Sequence, residues 1–199
     1  MSLERCPWVN LSQPDYVAYH DHEWGVPVHD DRRMFEFLVL ESAQAGLSWY
    51  TVLRKRENYR KAFDDFDPEK VARYDEEKIA ALLQNPGLIR NRAKIAAAVN
   101  NAARFLEVRD RFASFCDYLW RFVDGTPIVH ELHNLADYPA RSPESDALAA
   151  DLKARGFKFL GSTICYAHLQ ATGLINDHTM SCFRRRELVD QTGALSRRP

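Results

Sequence analysis

Ile79-Ala-Ala-Leu-Leu-Gln-Asn-Pro-Gly-Leu-Ile-Arg-Asn-Arg-Ala-Lys94 carries helical spacing on both sides of a single break. Leu82 and Leu83 close a first helix, Asn85-Pro86-Gly87 forces a turn, and Ile95, Ala98, Val99 and Ala102 give a second helix its apolar face. Gly87 lets the backbone approach another chain closely, and the free N–H groups that open the second helix attract an anion. With Arg90, Arg92 and Lys94 alongside, that anion fits a DNA phosphate. A helix-hairpin-helix of this kind grips nucleic-acid backbone without reading sequence. An Asn-Pro-Gly turn between helices is also common, so the stretch alone divides evenly between that reading and a plain helical corner.

Outward from the hairpin the apolar spacing stays helical nearly everywhere, with no run of strict alternation. Asp30 or Asp31 caps a helix to about Ala45, with a stripe of Met34, Phe37, Leu38 and Ala45. Gly46 ends it, and Ser48 caps a segment carrying Trp49, Val52, Leu53 and later Phe63; Asp67-Pro68 is a further cap with proline at the first helical position. Other helices are predicted at 76–84, 91–107, 114–123, 145–155 and 162–172, the last two ending at Gly156 and Gly173. Gly125 to Ser142 reads as a long connection with a short extended piece. The tail, 184–199, is charged without an apolar stripe and is expected to fray. The fold class expected is all-α, one domain over 1–199.

Composition agrees with a single folded unit. The chain has 199 residues, 46% hydrophobic and 28% charged, with 8 Gly and 9 Pro, which excludes a disordered or collagen-like sequence. Mean hydropathy is −0.43, and apolar runs such as Ile95 to Val99 fall far short of the ~18 residues of a membrane span. No membrane role is expected. Met1 to Trp8 lacks a basic segment followed by an apolar stretch, so the expected compartment is cytoplasmic. The scattered Cys6, Cys116, Cys165 and Cys182 are more consistent with a metal than with disulfides if any act together. Net charge is −1, but residues 84–111 hold six basic groups against two acids, while 64–77 hold seven acids against two basic groups. A near-neutral total thus conceals a basic face, or a solvated mosaic surface.

Three further groupings could carry chemistry. Glu41 lies four residues after Phe37 and four before Ala45, so helical geometry sets its carboxylate beside the stripe. There it needs a salt bridge or a cap, or it sits at the base of a pocket as an acceptor for a ligand. Tyr16, Tyr19, Trp24 and Trp49 are rings with polar handles; they are either core or a stacking site for an extracted, cationic nucleobase. His178 and Cys182 are four apart, a spacing that one helical turn can aim at one ion, with Cys6 and His20 as plausible partners. Two Cys and two His would close a tetrahedral zinc site with no open position, structural rather than catalytic. An iron–sulfur cluster lacks the clustered cysteines it needs.

The chain resembles the 3-methyladenine DNA glycosylase I family. The resemblance rests on Arg5-Cys6-Pro-Trp8, Tyr19-His20-Asp-His-Glu23-Trp24-Gly25-Val-Pro27, Glu41 with Gln44-Ala-Gly-Leu-Ser-Trp49, and Lys55-Arg-Glu-Asn-Tyr59. It continues through Arg155-Gly-Phe-Lys-Phe159, Thr163-Ile-Cys-Tyr166 and Asn176-Asp-His178, covering residues 5 to about 182. It implies a helix-hairpin-helix superfamily fold, the hairpin near 76–107, in which Cys6, His20, His178 and Cys182 hold one structural Zn2+ that ties segment 5–20 to segment 176–183. It further implies a pocket where Glu41 hydrogen-bonds the adenine edge and Tyr16, Tyr19, Trp24 and Trp49 surround the ring. The implied reaction hydrolyses the N-glycosidic bond of N3-methylated adenine in double-stranded DNA, releases free 3-methyladenine and leaves an abasic site, with no lyase step. Leu47, in the turn ahead of Trp49, is the expected wedge into the DNA gap, and a monomer is expected.

The sequence departs from the family pattern at Ser42-Ala43, where a Gly-Gln pair is frequent, and at Pro7, where glycine is common. Asn100, Asn101 and Ala102 occupy the region where the wider superfamily carries a catalytic aspartate, an absence normal for this family. The competing reading is a non-catalytic helix-hairpin-helix DNA-binding module, which would have no reason to set Glu41 among Tyr and Trp.

Overall fold

The chain runs through eleven helices and three short strands in a computed structural model that describes residues 3–193 and 196–197. The helices are α1 (Pro14–His22), α2 (Asp31–Gln44), α3 (Trp49–Leu53), α4 (Arg56–Ala62), α5 (Pro68–Val71), α6 (Glu76–Gln84), α7 (Arg92–Phe112), α8 (Phe115–Trp120), α9 (Pro143–Ala154), α10 (Ser162–Ala171) and α11 (Phe183–Thr192). The strands are β1 (Ile128–His130), β2 (Ile175–Asn176) and β3 (Ser196–Arg197). The fold is mostly helical, and among the described residues no helix is long and apolar enough to cross a membrane.

Short polar side chains start most of these helices. Asp30 accepts from Arg33 N at 2.8 Å, Ser48 from Thr51 N at 3.3 Å, Asp75 from Lys78 N at 2.8 Å and Asn91 from Lys94 N at 3.1 Å. Each cap satisfies an N–H that the helix cannot, worth about 1 kcal/mol. The segment expected to run from Ser48 to Phe63 is broken into α3 and α4. The helix predicted at 114–123 ends at Trp120 and tightens into a 3-10 turn through Val123, while the one predicted at 91–107 continues to Phe112.

α2 is the axis of the molecule. All ten residues from Met34 to Ala43 are buried, and the helix packs against α3, α7, α8 and α10. The expected one-sided stripe is therefore a buried circumference, and Ala45 lies at its edge rather than inside it. A helix enclosed on every side must satisfy its acids internally. Glu36 does so with Arg56 Nε at 2.8 Å and Arg60 Nη2 at 2.7 Å.

Two segments with no apolar period are nonetheless folded. α1 has only Tyr19 and His20 buried, and α11 only Leu188. The expectation of a frayed tail is thus corrected for 184–192, because Leu188 is anchored in the core and the Phe183 amide donates to Glu4 O at 3.0 Å. Beyond that, Ser196–Arg197 pairs with β1; the remainder of the expected fraying lies outside the described residues. The short extended piece expected in 125–142 is β1, the centre of a parallel sheet ordered β2-β1-β3, with Ile128 opposite Ile175 and Val129 opposite Ser196. The turn that brings β2 there needs Gly173: its φ is +76°, and an added Cβ would stand 2.4 Å from Pro27 N.

Candidate active site and metal centre

A cavity of about 190 Å³ opens where α1, α2, α3 and α10 meet. Its wall includes Trp8, Tyr16, Tyr19, Trp24, Glu41 and Trp49, so the structure brings together all five residues expected to form a base pocket. Tyr19 and Trp49 ring centroids are 5.4 Å apart, and Trp24 is braced edge-on by Trp8 at 4.9 Å. Glu41, in the last turns of α2, is 1% exposed, and its Oε2 lies 2.8 Å from His168 Nδ1. Oε1 has no hydrogen-bond partner. The Nε1–H groups of Trp8 and Trp49 and the Tyr138 hydroxyl, all of the same wall, also make no hydrogen bond. Buried polar atoms are rarely left so, and a cluster of them around one cavity fits a site that awaits a polar ligand. Burial pushes the Glu41 carboxyl up from its ordinary range, and His168 pulls it part of the way back.

Some residues in and behind the wall had no local signature. His168 is 127 residues from Glu41, and Tyr138 sits on the irregular segment after β1. Gln44 could have been found, since it follows Glu41 by three on one helix face. Gln170, Ala167 and Ala171 complete the α10 side, with Gln170 Nε2 donating to the buried Asp177 at 2.6 Å.

Cys6, His20, His178 and Cys182 converge behind the pocket. One ligand atom from each lies within 4.8 Å of all the others, and all four residues are buried. His178 and Cys182 do not share a helical turn as expected; His178 follows β2 and Cys182 is the N-cap of α11, so the turn between them makes the approach. Cys6 Sγ–His178 Nδ1 is 3.3 Å, Cys182 Sγ–His178 Nδ1 3.4 Å and Cys182 Sγ–His20 Nε2 3.5 Å. A tetrahedral ion with ordinary Zn–S and Zn–N bonds sets such S···N edges at about 3.5 Å. The free ring nitrogens are held from outside: His20 Nδ1 is 2.8 Å from Asp21 Oδ1, itself gripped by Arg5, and His178 Nε2 is 3.0 Å from Trp24 O. That is how imidazole ligands are usually oriented. These four residues can hold a metal.

The residues expected to meet DNA take varied positions. Leu47 is 39% exposed at the tip of the turn between α2 and α3, and Arg90 is exposed in the hairpin turn. Arg92 pairs with Glu76 across the hairpin. Lys94 turns inward, its Nζ donating to Ala43 O at 2.8 Å and Ala45 O at 2.5 Å, because the end of α2 leaves those carbonyls unpaired. Gly87 makes a close approach within the chain: an added Cβ would stand 2.9 Å from Asn58 Cβ of α4. Lys55 and Tyr59 hold the same turn through Pro86 O at 2.9 Å and Ile89 N at 3.2 Å.

Comparison with known proteins settles the kinship of this arrangement. Residues 8–185 match the model of the methyladenine glycosylase family. The chain belongs to that family. It is 50% identical over 180 residues to DNA-3-methyladenine glycosylase 1 of Escherichia coli K12, covering 90% of this chain and 96% of that one. A crystal structure of 3-methyladenine DNA glycosylase I superposes with a TM-score of 0.88 at 53% identity, covering 90% of this chain and 98% of the other. A tyrosine-to-phenylalanine variant of 3-methyladenine DNA glycosylase I in complex with 3-methyladenine also superposes at 0.88, with 38% identity over 91% of this chain and 97% of that chain. Within the methyladenine glycosylase family, then, this chain has an aromatic pocket with a buried glutamate and a Cys2His2 cluster joining its two ends.

Proposed function

We propose that this chain is a monofunctional DNA-3-methyladenine glycosylase, which receives N3-methylated adenine flipped from duplex DNA, hydrolyses its N-glycosidic bond and leaves an abasic site. The observation that carries the reading is Glu41: a wholly buried carboxylate with one oxygen unpartnered, in the wall of a cavity built mainly of rings. An N3-methylated adenine is a cation and already a good leaving group, so it needs no proton from an acid. The rings attract it by ~0.5 to 2 kcal/mol each, and ionised Glu41 accepts from the amino edge and complements the charge. Both attractions act on the bound lesion and fade as the base leaves neutral, so they select the damaged base more than they lower the barrier. Flipping costs a few kcal/mol and least for a poorly paired base, which sharpens the choice. Water is the nucleophile. No lysine lines the cavity among the described residues, which favours simple hydrolysis over a Schiff-base route.

Arg90 and Arg92 grip phosphate, Gly87 shapes the turn that presents them, Lys94 braces the hairpin, and Leu47 fills the gap left by the flipped base. Cys6, His20, His178 and Cys182 hold one zinc, whose closed four-ligand shell supplies structure and no chemistry. The test is chromatography of free bases released from randomly methylated duplex DNA by the wild type and by Glu41→Gln. Release of 3-methyladenine by the first and its loss in the second supports the reading; DNA binding without release would return the chain to a binding module.

A further inference from the structure

Glu41 is held by a residue from the far end of the chain. His168, on α10, is 3% exposed, with Nδ1 2.8 Å from Glu41 Oε2. Its Nε2 makes no hydrogen bond, and neither does Glu41 Oε1. A proton on Nε2 would be a buried donor with no acceptor, so the arrangement calls for the proton on Nδ1, donated to Oε2. One carboxylate oxygen is thereby tied and the other keeps its lone pairs.

We propose that His168 is a positioning residue for base recognition: through Nδ1–H it fixes the rotation of the Glu41 carboxylate so that Oε1 is presented to the amino edge of the methylated base. This rests on the glycosylase reading above. Without the pin, a glutamate in the last turns of a helix can swing about its terminal torsions, which are broad. The same hydrogen bond favours the charged form of a group whose burial favours the neutral one. The other titratable groups around it give no such help. Tyr19 from α1 and Cys165 from α10 are both pushed up, by burial first and by Glu41 itself next. The Tyr16 and Tyr138 phenols are likewise raised by burial, Trp49 of α3 has only an indole, and Lys94 of α7 spends its ammonium on the carbonyls of Ala43 and Ala45. His168 is the neighbour placed to hold both the orientation and the charge.

Three substitutions in the full chain separate a pin from a filler. His168→Asn puts an amide nitrogen near the place of Nδ1, His168→Gln puts one near the place of Nε2, and His168→Leu removes the donor while keeping bulk. The readouts are affinity for free 3-methyladenine against pH, followed by fluorescence of Trp8, Trp24 and Trp49, and single-turnover excision from methylated duplex DNA. Leu and Gln are expected to weaken base binding about tenfold or more at neutral pH, a hydrogen bond to a charged group being at stake. They should also move the acid limb of binding upward by roughly one pH unit. Asn is expected to recover to within about threefold of the wild type, with its acid limb near the wild-type position. Equal losses in Asn and Gln, or wild-type affinity and an unmoved limb in Leu, would overturn the proposal and leave His168 as packing. If the Leu variant does not fold, the Asn and Gln pair decides alone. A wild type that binds no 3-methyladenine overturns the glycosylase reading and the role of His168 together.

Discussion

His178 Nε2 lies 3.0 Å from the main-chain oxygen of Trp24, and the two rings meet edge to face with centroids 4.6 Å apart. The residue that turns Nδ1 toward the Cys6 and Cys182 thiols therefore also props one wall of the aromatic cavity. If the four residues hold the proposed zinc, removing it should reach the pocket. Cys182→Ala is expected to bind no zinc and to lose several kcal/mol, lowering Tm by roughly 10 °C. Affinity for 3-methyladenine, measured well below that Tm, should fall with it. Metal analysis, calorimetry and fluorescence titration check the three parts; an unchanged Tm in the metal-free variant would separate the cluster from the fold.

The raised Glu41 carboxyl sets the direction of two pH dependences. A carboxyl whose folded value lies above its unfolded value holds its proton longer when folded, so its share of stability falls as pH rises from the unfolded value through the raised one, and is level above. On the proposed reading binding runs the other way, since ionised Glu41 would be the acceptor and is lost as pH falls through the raised value. The acid limb of 3-methyladenine binding should thus lie above the ordinary glutamate range and be absent in Glu41→Gln. Titration of both proteins between pH 4 and 8 reads it.

Gly173→Ala should be among the most damaging single changes outside the pocket. The new methyl would stand 2.4 Å from both Val26 C and Pro27 N, backbone atoms that cannot turn aside, at a φ of +76°. Backbone strain and overlap together are expected to cost about 3 kcal/mol or more, read by urea denaturation.

Leu47→Ala and Arg90→Ala should fail differently. The first should slow excision from duplex DNA while sparing affinity for the free base, because Leu47 stands at the tip of its turn and outside the cavity wall. The second should weaken duplex binding across all sequences and reduce the slope of log affinity against log salt by about one. An unchanged salt slope in Arg90→Ala removes Arg90 from the phosphate contacts.

What the sequence disclosed depended on whether a residue worked through its neighbours in the chain. Asp30, Ser48 and Asp67-Pro68 announced helix starts because a cap bonds within three residues. Glu41 was legible because helical spacing set it beside Phe37 and Leu38. α1 and α11 were missed because they have no stripe: one or two anchored residues hold each, Tyr19 and His20 in the first and Leu188 in the second. His168 was illegible for the opposite reason, being one buried polar residue in an apolar helix whose partner is 127 positions away. The four candidate metal ligands emerged from their chemistry and the family resemblance, whereas the geometry that joins them is a turn no periodicity describes.

The inward turn of Lys94 has a mechanical consequence. By clasping Ala43 O and Ala45 O it fastens the start of α7 to the end of α2, the helix that bears Glu41. The part of the molecule that would rest on the DNA strand and the part that would receive a base are thereby joined directly by one side chain. On the proposed reading, a push of DNA against the hairpin would pass through this one ammonium to the helix that carries the carboxylate.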